Sequence, residues 1–414
     1  MDRADVAIAG AGAAGLMAAV WARRTAPAAR VVLLDGAQKL GAKILIAGGG
    51  RCNVTHERVD ADAFAGSSRY AIRKVLRRFD VSQTVAFFKS CGVALKREET
   101  GKLFPTTDRA KSVLDALLRL VRESGVDLIH PRRVESISPS ARGFIVAGEW
   151  GALDARRVVL ATGGKSVPNT GSDGHGYEIA RNLGHTVTPL FPALVPLILP
   201  RDHFARGLSG ISTETTLDVV TSAGKKLARF TGPVLCAHFG LSGPAVLDIS
   251  RYYIDAVRSD PGVGLVINWF PGRTPASLER EFLDIGPATV SHFLERSLPD
   301  RLAAALCAAA GVDPGTKGHE ITRERRGSLA SVCTRMRLPV TGDRGFDYAE
   351  VTAGGVPLAE LRLDTMESRI RPGLHICGEI CDVDGRIGGF NFQWAWASGY
   401  TAGLSAGRAV QDGC

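Results

Sequence analysis

The sequence predicts an α/β fold in which a Rossmann-like nucleotide-binding domain, built from both ends of the chain, is interrupted by an inserted domain that is β-rich and then helical. Three observations lead there. A short apolar run, Asp5-Val6-Ala7-Ile8-Ala9, ends at Gly10-Ala11-Gly12-Ala13-Ala14-Gly15 and continues as the helix-compatible stretch Leu16 to Arg23. After about residue 190 the texture changes to proline-bounded strands and hairpins, then to helical patterns. The end of the chain returns to glycine-rich α/β character. The boundaries this gives are 1–190 for the first segment of the Rossmann-like domain, 191–345 for the insert and 346–414 for the second segment.

The opening strand, glycine turn and helix are followed by a second apolar run, Val31-Val32-Leu33-Leu34, ending in Asp35, which completes a βαβ unit. Basic amphipathic stretches over about 69–90 and 110–124 read as helices, and strand-like runs come around Phe144-Ile145-Val146 and at Arg157 to Gly164. In the insert, Leu217 to Thr221, the pair Ala223-Gly224 and Lys225 to Phe230 read as a hairpin, and helical patterns run from about 277 to 310. A strand at Leu374-His375-Ile376-Cys377 then leads to Gly378-Glu379, and Gly388-Gly389-Phe390-Asn391 opens a long terminal helix.

With 414 residues, 45% hydrophobic and 22% charged, the chain can bury a large core and is not intrinsically disordered. Its 48 glycines, about 12% against a usual ~7%, require many tight turns or close backbone approaches. No apolar run reaches the ~20 residues that cross a bilayer, and the start, with Asp2, Arg3 and Asp5, lacks a signal-peptide layout, so a cytoplasmic protein is expected. The eight cysteines include no Cys-x-x-Cys pair and the nine histidines are dispersed, so reduced thiols and no metal are expected. The net charge of +9 suits a polyanionic partner such as RNA, cofactor phosphates, or solubility alone.

A lone Gly-x-Gly-x-x-Gly is weak evidence, but here it follows a strand, opens a helix and precedes an acid at the next strand end. Gly10 suits the tight turn, Gly12 the approach of backbone N–H groups to a pyrophosphate, Gly15 close helix packing, and Asp35 a ribose hydroxyl. This unit alone does not separate FAD from NAD. Lys43-Ile44-Leu45-Ile46-Ala47-Gly48-Gly49-Gly50-Arg51-Cys52-Asn53 suits backbone passing a phosphate or flat ring, and Val158-Val159-Leu160-Ala161-Thr162-Gly163-Gly164 has the form of a strand ending at a cofactor. With Gly378-Glu379 and Gly389-Phe390-Asn391 near the other chain end, one cofactor gripped from both ends fits FAD better than NAD.

These motifs, with Lys165-Ser166-Val167-Pro168-Asn169-Thr170-Gly171, His238-Phe239-Gly240-Leu241-Ser242-Gly243-Pro244, Val351-Thr352-Ala353-Gly354-Gly355-Val356 and Ile380 to Gln393, resemble a bacterial flavoprotein family over nearly the whole chain. That family includes ribosomal RNA dihydrouridine synthase, a bile-acid reductase and aminoacetone oxidase. The resemblance implies a discontinuous FAD-binding domain of glutathione-reductase type carrying an insert. It also implies a cofactor set of Gly10, Gly12, Ala14, Gly15, Asp35, Lys43, Gly49, Gly50, Arg51, Cys52, Asn53, Val134, Thr162, Gly163, Gly378, Glu379, Gly389, Phe390 and Asn391. NAD(P)H is implied as a transient electron donor, since no second glycine fingerprint marks a domain for it. Ala47, where the family usually has serine, and Arg386-Ile387, in a segment that often reads Ile-Thr, depart from the pattern.

Several signals are decoys. Gly163-Gly164-Lys165-Ser166 lacks the upstream glycine of a Walker A loop, because position 159 is Val. Gly240-Leu241-Ser242-Gly243-Pro244 suggests a nucleophile elbow, but Ser242 beside Gly-Pro better suits a helix cap. Cys52 is the one candidate catalytic residue, as a proton donor or as packing against the ring, with packing preferred. A redox pair of Cys377 and Cys381 is disfavoured. Basic clusters containing Arg73, Lys74 and Arg77, and Arg323, Arg325 and Arg326, are candidate RNA contacts, weighed against solvated helix faces. The first expectation is reduction of a uridine C5–C6 bond in large-subunit ribosomal RNA. The alternatives are a small-molecule enone reductase or aminoketone oxidase, and an RNA- or protein-binding flavoprotein with a structural flavin.

Overall fold

The computed structural model describes residues 2–412, so Cys414 lies outside the described residues. The chain divides into two compact units, one of residues 1–192 with 350–414 and one of residues 193–349.

In the first unit, strand β1 (Asp2–Ala9) leads through the glycine turn into helix α1 (Ala13–Thr25) and back into β2 (Val31–Leu34). Five strands run parallel: β5 (Leu374–Ile376), β4 (Gly151–Leu160), β1, β2 and β3 (Asp127–Ile129), in that spatial order. A hairpin of Ser136–Pro139 and Phe144–Gly148 runs antiparallel onto β4. Being buried on both faces, β2 reads as the unbroken apolar run Val-Val-Leu-Leu. Because the central strands are parallel, their C-terminal ends share one edge. In a doubly wound sheet that edge is where ligands bind.

The terminal helix α2 (Phe390–Gln411) packs along α1. Glycines 399, 403 and 407 fall at i, i+4 and i+8, on one helix face, and a Cβ on them would lie 2.4, 2.2 and 2.7 Å from the carbonyl oxygens of Ala14, Ala18 and Ala22. The two helices thus touch backbone to backbone, which ties the last segment of the chain to the first.

The second unit is a seven-stranded antiparallel sheet with helices. Its strand order is Met336–Leu338, Gly264–Asn268, Ser212–Val220, Lys226–Ala237, Gly240–Ser242, Leu197–Ile198 and Gly342–Asp343. The hairpin expected around Ala223-Gly224 joins its two longest strands. Helices at Pro244–Ser259, Pro275–Leu283, Asp300–Ala309 and Arg323–Arg335 surround a core containing Trp269, Phe282, Leu302 and Leu329.

One expectation fails here. Ser242 does not cap the helix Pro244–Ser259: the N-cap is Gly243, no side chain caps it, and Ser242 is spent pairing with Leu235 in the sheet. The proline does occupy the first helical turn, as expected. Among the described residues, no helix is long and apolar enough to cross a membrane.

Candidate cofactor and active site

At the C-terminal edge of the parallel sheet, Gly10 has φ +103° and a Cβ there would lie 2.5 Å from the Ala161 carbonyl oxygen, so only glycine fits between the ends of β1 and β4. Gly12 is the N-cap of α1 and no side chain caps it. A Cβ on Gly12 would meet nothing within 4 Å, so open space borders the uncapped start of this helix at Gly12. An uncapped helix start carries partial positive charge and favours an anion. Asp35 accepts from the Ala11 amide at 2.6 Å through one carboxylate oxygen and from the Ala37 amide at 2.7 Å through the other. It fixes the glycine loop, and each oxygen retains lone-pair capacity for a hydroxyl donor. Val134 belongs to the same corner, because the Arg132 amide donates to the Asp35 carbonyl at 2.6 Å.

Thr162, Gly163 and Gly378 complete this edge. Gly378 packs against Ala14, where a Cβ would lie 2.8 Å from the alanine methyl. Thr162 Oγ1, Ser172 Oγ and Asn53 Oδ1 are buried without a protein hydrogen-bond partner. Orphaned buried oxygens cost stability unless something outside the chain meets them.

A second cluster joins residues that the sequence separates by more than three hundred positions. The stretch Ala42–Gly50 is helical but broken at Ala47, Gly48 and Gly49, and the backbone turns left-handed at Gly48, Gly49, Gly50 and Cys52. A Cβ on Gly49 would meet nothing, so this turn also borders open space. Thr55, two residues past Asn53, lies against Gly389, the uncapped N-cap of α2, and Phe390 stacks on His56 at 5.0 Å. Cys52 is fully buried, and burial pushes its thiol up to about 12.

The third group is a polar junction. Glu379 Oε2 accepts from Lys43 Nζ at 2.7 Å, while Glu379 Oε1 accepts from the Thr352 amide at 2.9 Å and Ser166 Oγ at 3.1 Å. Lys43 also donates to Ser166 Oγ at 2.5 Å, and Thr352 Oγ1 accepts from the Lys165 and Ser166 amides. The sequence pointed to Lys43 and Glu379 but not to Ser166 and Thr352 as their partners. Only the third dimension shows that the Gly-Gly-Lys-Ser loop returns to them.

Two further side chains of the expected set, besides Asp35, Lys43 and Glu379, are engaged by the protein itself. Arg51 donates to Glu98 at 2.5 Å and lies over the Phe104 ring at 4.0 Å. Asn391 accepts from the Gly385 amide and donates to the Gly385 carbonyl, fastening the strand Val383–Gly385 to the start of α2. Among the candidate RNA contacts, Arg73 pairs with Asp60, Lys74 with Asp364 and Arg326 with Glu279. Arg77, Arg323 and Arg325 are exposed and have no acidic partner within 4.0 Å among the described residues. All seven described cysteines are free and buried, Cys377 and Cys381 included. Among the described residues, no cluster of three or more His, Cys, Asp or Glu side chains could hold a metal ion.

The HI0933-like protein Rossmann domain matches residues 4–405. A 3-dehydro-bile acid delta(4,6)-reductase of Clostridium scindens is 36% identical over 406 residues, 97% of this chain and 98% of that protein. A ribosomal RNA dihydrouridine synthase of Escherichia coli is 34% identical over 403 residues, 97% of each chain. Among solved structures, an E. coli quinol fumarate reductase FrdA aligns with a TM-score of 0.52 at 18% identity, over 100% of this chain and 72% of that one. That last likeness bears on the fold alone.

Proposed function

This chain belongs to the HI0933-like Rossmann family of FAD-dependent oxidoreductases, and from that premise we propose that it holds FAD along the edge described above and reduces an activated C=C bond. One observation carries the placement: two helices with uncapped glycine N-caps, α1 and α2, lie in the same unit as three orphaned buried oxygens, and open space borders Gly12 and Gly49. Polar groups that the chain leaves unmet beside open backbone fit a ligand rich in oxygens and nitrogens.

Gly12, Ala14 and Gly15 would hold the pyrophosphate, Asp35 and the Val134 backbone the adenosine, and Gly49, Gly50, Asn53, Thr162, Gly163, Gly389 and Phe390 the flavin half. When bound, FAD supplies two-electron hydride chemistry. The start of α2 presents backbone N–H groups that favour negative charge beside them. Asn391 orients that start through its bonds to Gly385, and Glu379 keeps Lys43 and the 165–166 loop fixed. Cys52, with its thiol pushed up to about 12 and fully buried, stays neutral and packs. A group so far from neutral pKa is a poor proton donor near pH 7.

The substrate we favour is uridine in large-subunit ribosomal RNA, with NAD(P)H as transient donor. The net charge of +9 and the unpaired Arg77, Arg323 and Arg325 support it. A small-molecule enone is the second reading, favoured by the bile-acid reductase being the relative of higher identity. The test is a visible spectrum of the purified protein, then anaerobic reduction by NADPH and reoxidation by dihydrouridine-free ribosomal RNA, by a steroid enone or by air. RNA-dependent reoxidation with dihydrouridine formed is the expected result. Reoxidation by the enone or air alone replaces the substrate, and a colourless protein that cannot be reconstituted with FAD overturns the placement.

A further inference from the structure

One arginine of the insert, Arg344, lies against two aromatic rings. Strand Gly342–Asp343 pairs with Leu197–Ile198, which in turn pairs with Gly240–Ser242; Arg344 follows the first of these beside Pro196, and Phe239 precedes the last beside Leu199, at the other end of the short central strand. The Arg344 guanidinium lies 4.5 Å from the Phe239 ring centroid and 3.3 Å from that of Tyr348. The cation is therefore in contact with two aromatic rings. The backbone holds the arrangement: the Arg344 amide donates to the Pro196 carbonyl, the Gly345 amide to Asp343 Oδ1, and the Tyr348 amide to the Gly345 carbonyl.

What this leaves exposed is specific. Among the described residues, Arg344 has no carboxylate within 4.0 Å and its guanidinium makes no hydrogen bond, so its fork of N–H donors is uncommitted. Half-buried, it contrasts with Arg229, which is bidentate to Asp218, and with Arg273, which pairs with Glu281. Tyr348 lies against Arg344 yet is 52% exposed, so much of its ring remains accessible to solvent. An orientated guanidinium edge recognises a planar or tetrahedral oxyanion, and an exposed aromatic face stacks a flat ring.

We infer that Phe239, Arg344 and Tyr348 form a nucleotide-binding clamp on the insert, with Arg344 taking a phosphate and the exposed ring of Tyr348 a base. Resting on the RNA reading above, it adds where a strand of substrate RNA is gripped. A free carboxylate could meet Arg344 in the same way. The Tyr348 face is what favours a nucleotide.

The test uses the full chain reconstituted with FAD and a fluorescein-labelled, uridine-rich 12-nucleotide RNA, followed by anisotropy at several salt concentrations. Arg344→Gln should weaken binding roughly tenfold and lower the slope of log affinity against log salt by about 0.7, the share of one phosphate contact on a single strand. Tyr348→Ala should weaken binding by a comparable factor without changing that slope, and Tyr348→Phe should restore it. Uridine 5′-monophosphate should compete better than uridine against the parent protein and equally with it against Arg344→Gln. Tyr348 is exposed, so its variants keep the test alive if Arg344→Gln fails to retain flavin. Binding within about twofold of the parent for Arg344→Gln and Tyr348→Ala overturns the clamp while leaving RNA reduction untouched. If the parent reduces no uridine yet binds the monophosphate through Arg344, the RNA reading falls and the clamp stands. A carboxylate such as cholate competing through Arg344 where the monophosphate does not would overturn the nucleotide assignment.

Discussion

His375 shows what a single residue can cost inside this sheet. It sits in β5, opposite Val159 of β4, fully buried, and neither ring nitrogen has a hydrogen-bond partner. Burial, with a smaller push from Arg157, lowers its pKa from 6.5 to about 3. The folded protein therefore holds this ring neutral while the unfolded chain protonates it near 6.5. Between those two values the unfolded state binds more protons, so stability falls as pH falls through that window, by up to about 1.4 kcal/mol per pH unit. Replacing His375 with Leu, of similar volume and no polar atoms, should flatten the loss between pH 7 and pH 5 in urea unfolding. An unchanged pH slope in His375→Leu would mean that other groups cause the loss. Residue chemistry was only half legible in the sequence. Lys43, Asp35 and Glu379 stand out as charged residues among glycines, but their protein partners, Ser166, Ala11 and Thr352, lie on segments that only folding brings near.

Among the elements, the pairing of α1 with α2 does most to make one domain out of two chain segments. Gly399, Gly403 and Gly407 let the last helix lie on the backbone of the first, and Gly403 is the closest, 2.2 Å from its virtual Cβ to the Ala18 oxygen. Helix propensity alone would favour Gly403→Ala by about 1 kcal/mol. The clash opposes this, because a methyl meeting a backbone oxygen cannot be relieved by a rotamer change. Overpacking typically costs about 1–3 kcal/mol, so Gly403→Ala should come out destabilising or neutral and Gly403→Val clearly destabilising. Thermal unfolding and flavin retention would measure it, and a Gly403→Val protein as stable as the parent would show that the helices can part without penalty. The strand, glycine turn and helix at the chain start were legible because their signal is local: period, glycine spacing and an acid at the next strand end. The broken helix at Ala42–Gly50 was not, since three consecutive glycines read as loop while tertiary contacts hold part of the stretch helical.

At the scale of the whole molecule, the discontinuous architecture followed from a change of texture and its reversal, and the compact units divide at 192/193 and 349/350. What texture could not separate was charge with a task from charge that merely solvates. The surplus of +9 is spread over many side chains, and the structure sorts the six candidate RNA contacts into three already ion-paired and three unpaired. Exposed pairs are worth ~0–1 kcal/mol, so the paired residues are not unavailable to phosphate, but the unpaired ones need displace nothing. Counterion release then gives a quantitative expectation. RNA affinity should fall steeply with salt, and Arg323→Gln with Arg325→Gln should reduce the slope of log affinity against log salt by about 1.4, two single-strand contacts at ~0.7 each. Arg73→Gln, which frees Asp60 as it removes a cation, serves as a comparison in which one positive charge, half the change of the double variant, is lost at a paired site. Turnover of a neutral enone should be insensitive to salt in all of these proteins. If RNA affinity proves equally insensitive, the positive surplus keeps the protein in solution and plays no part in choosing its substrate.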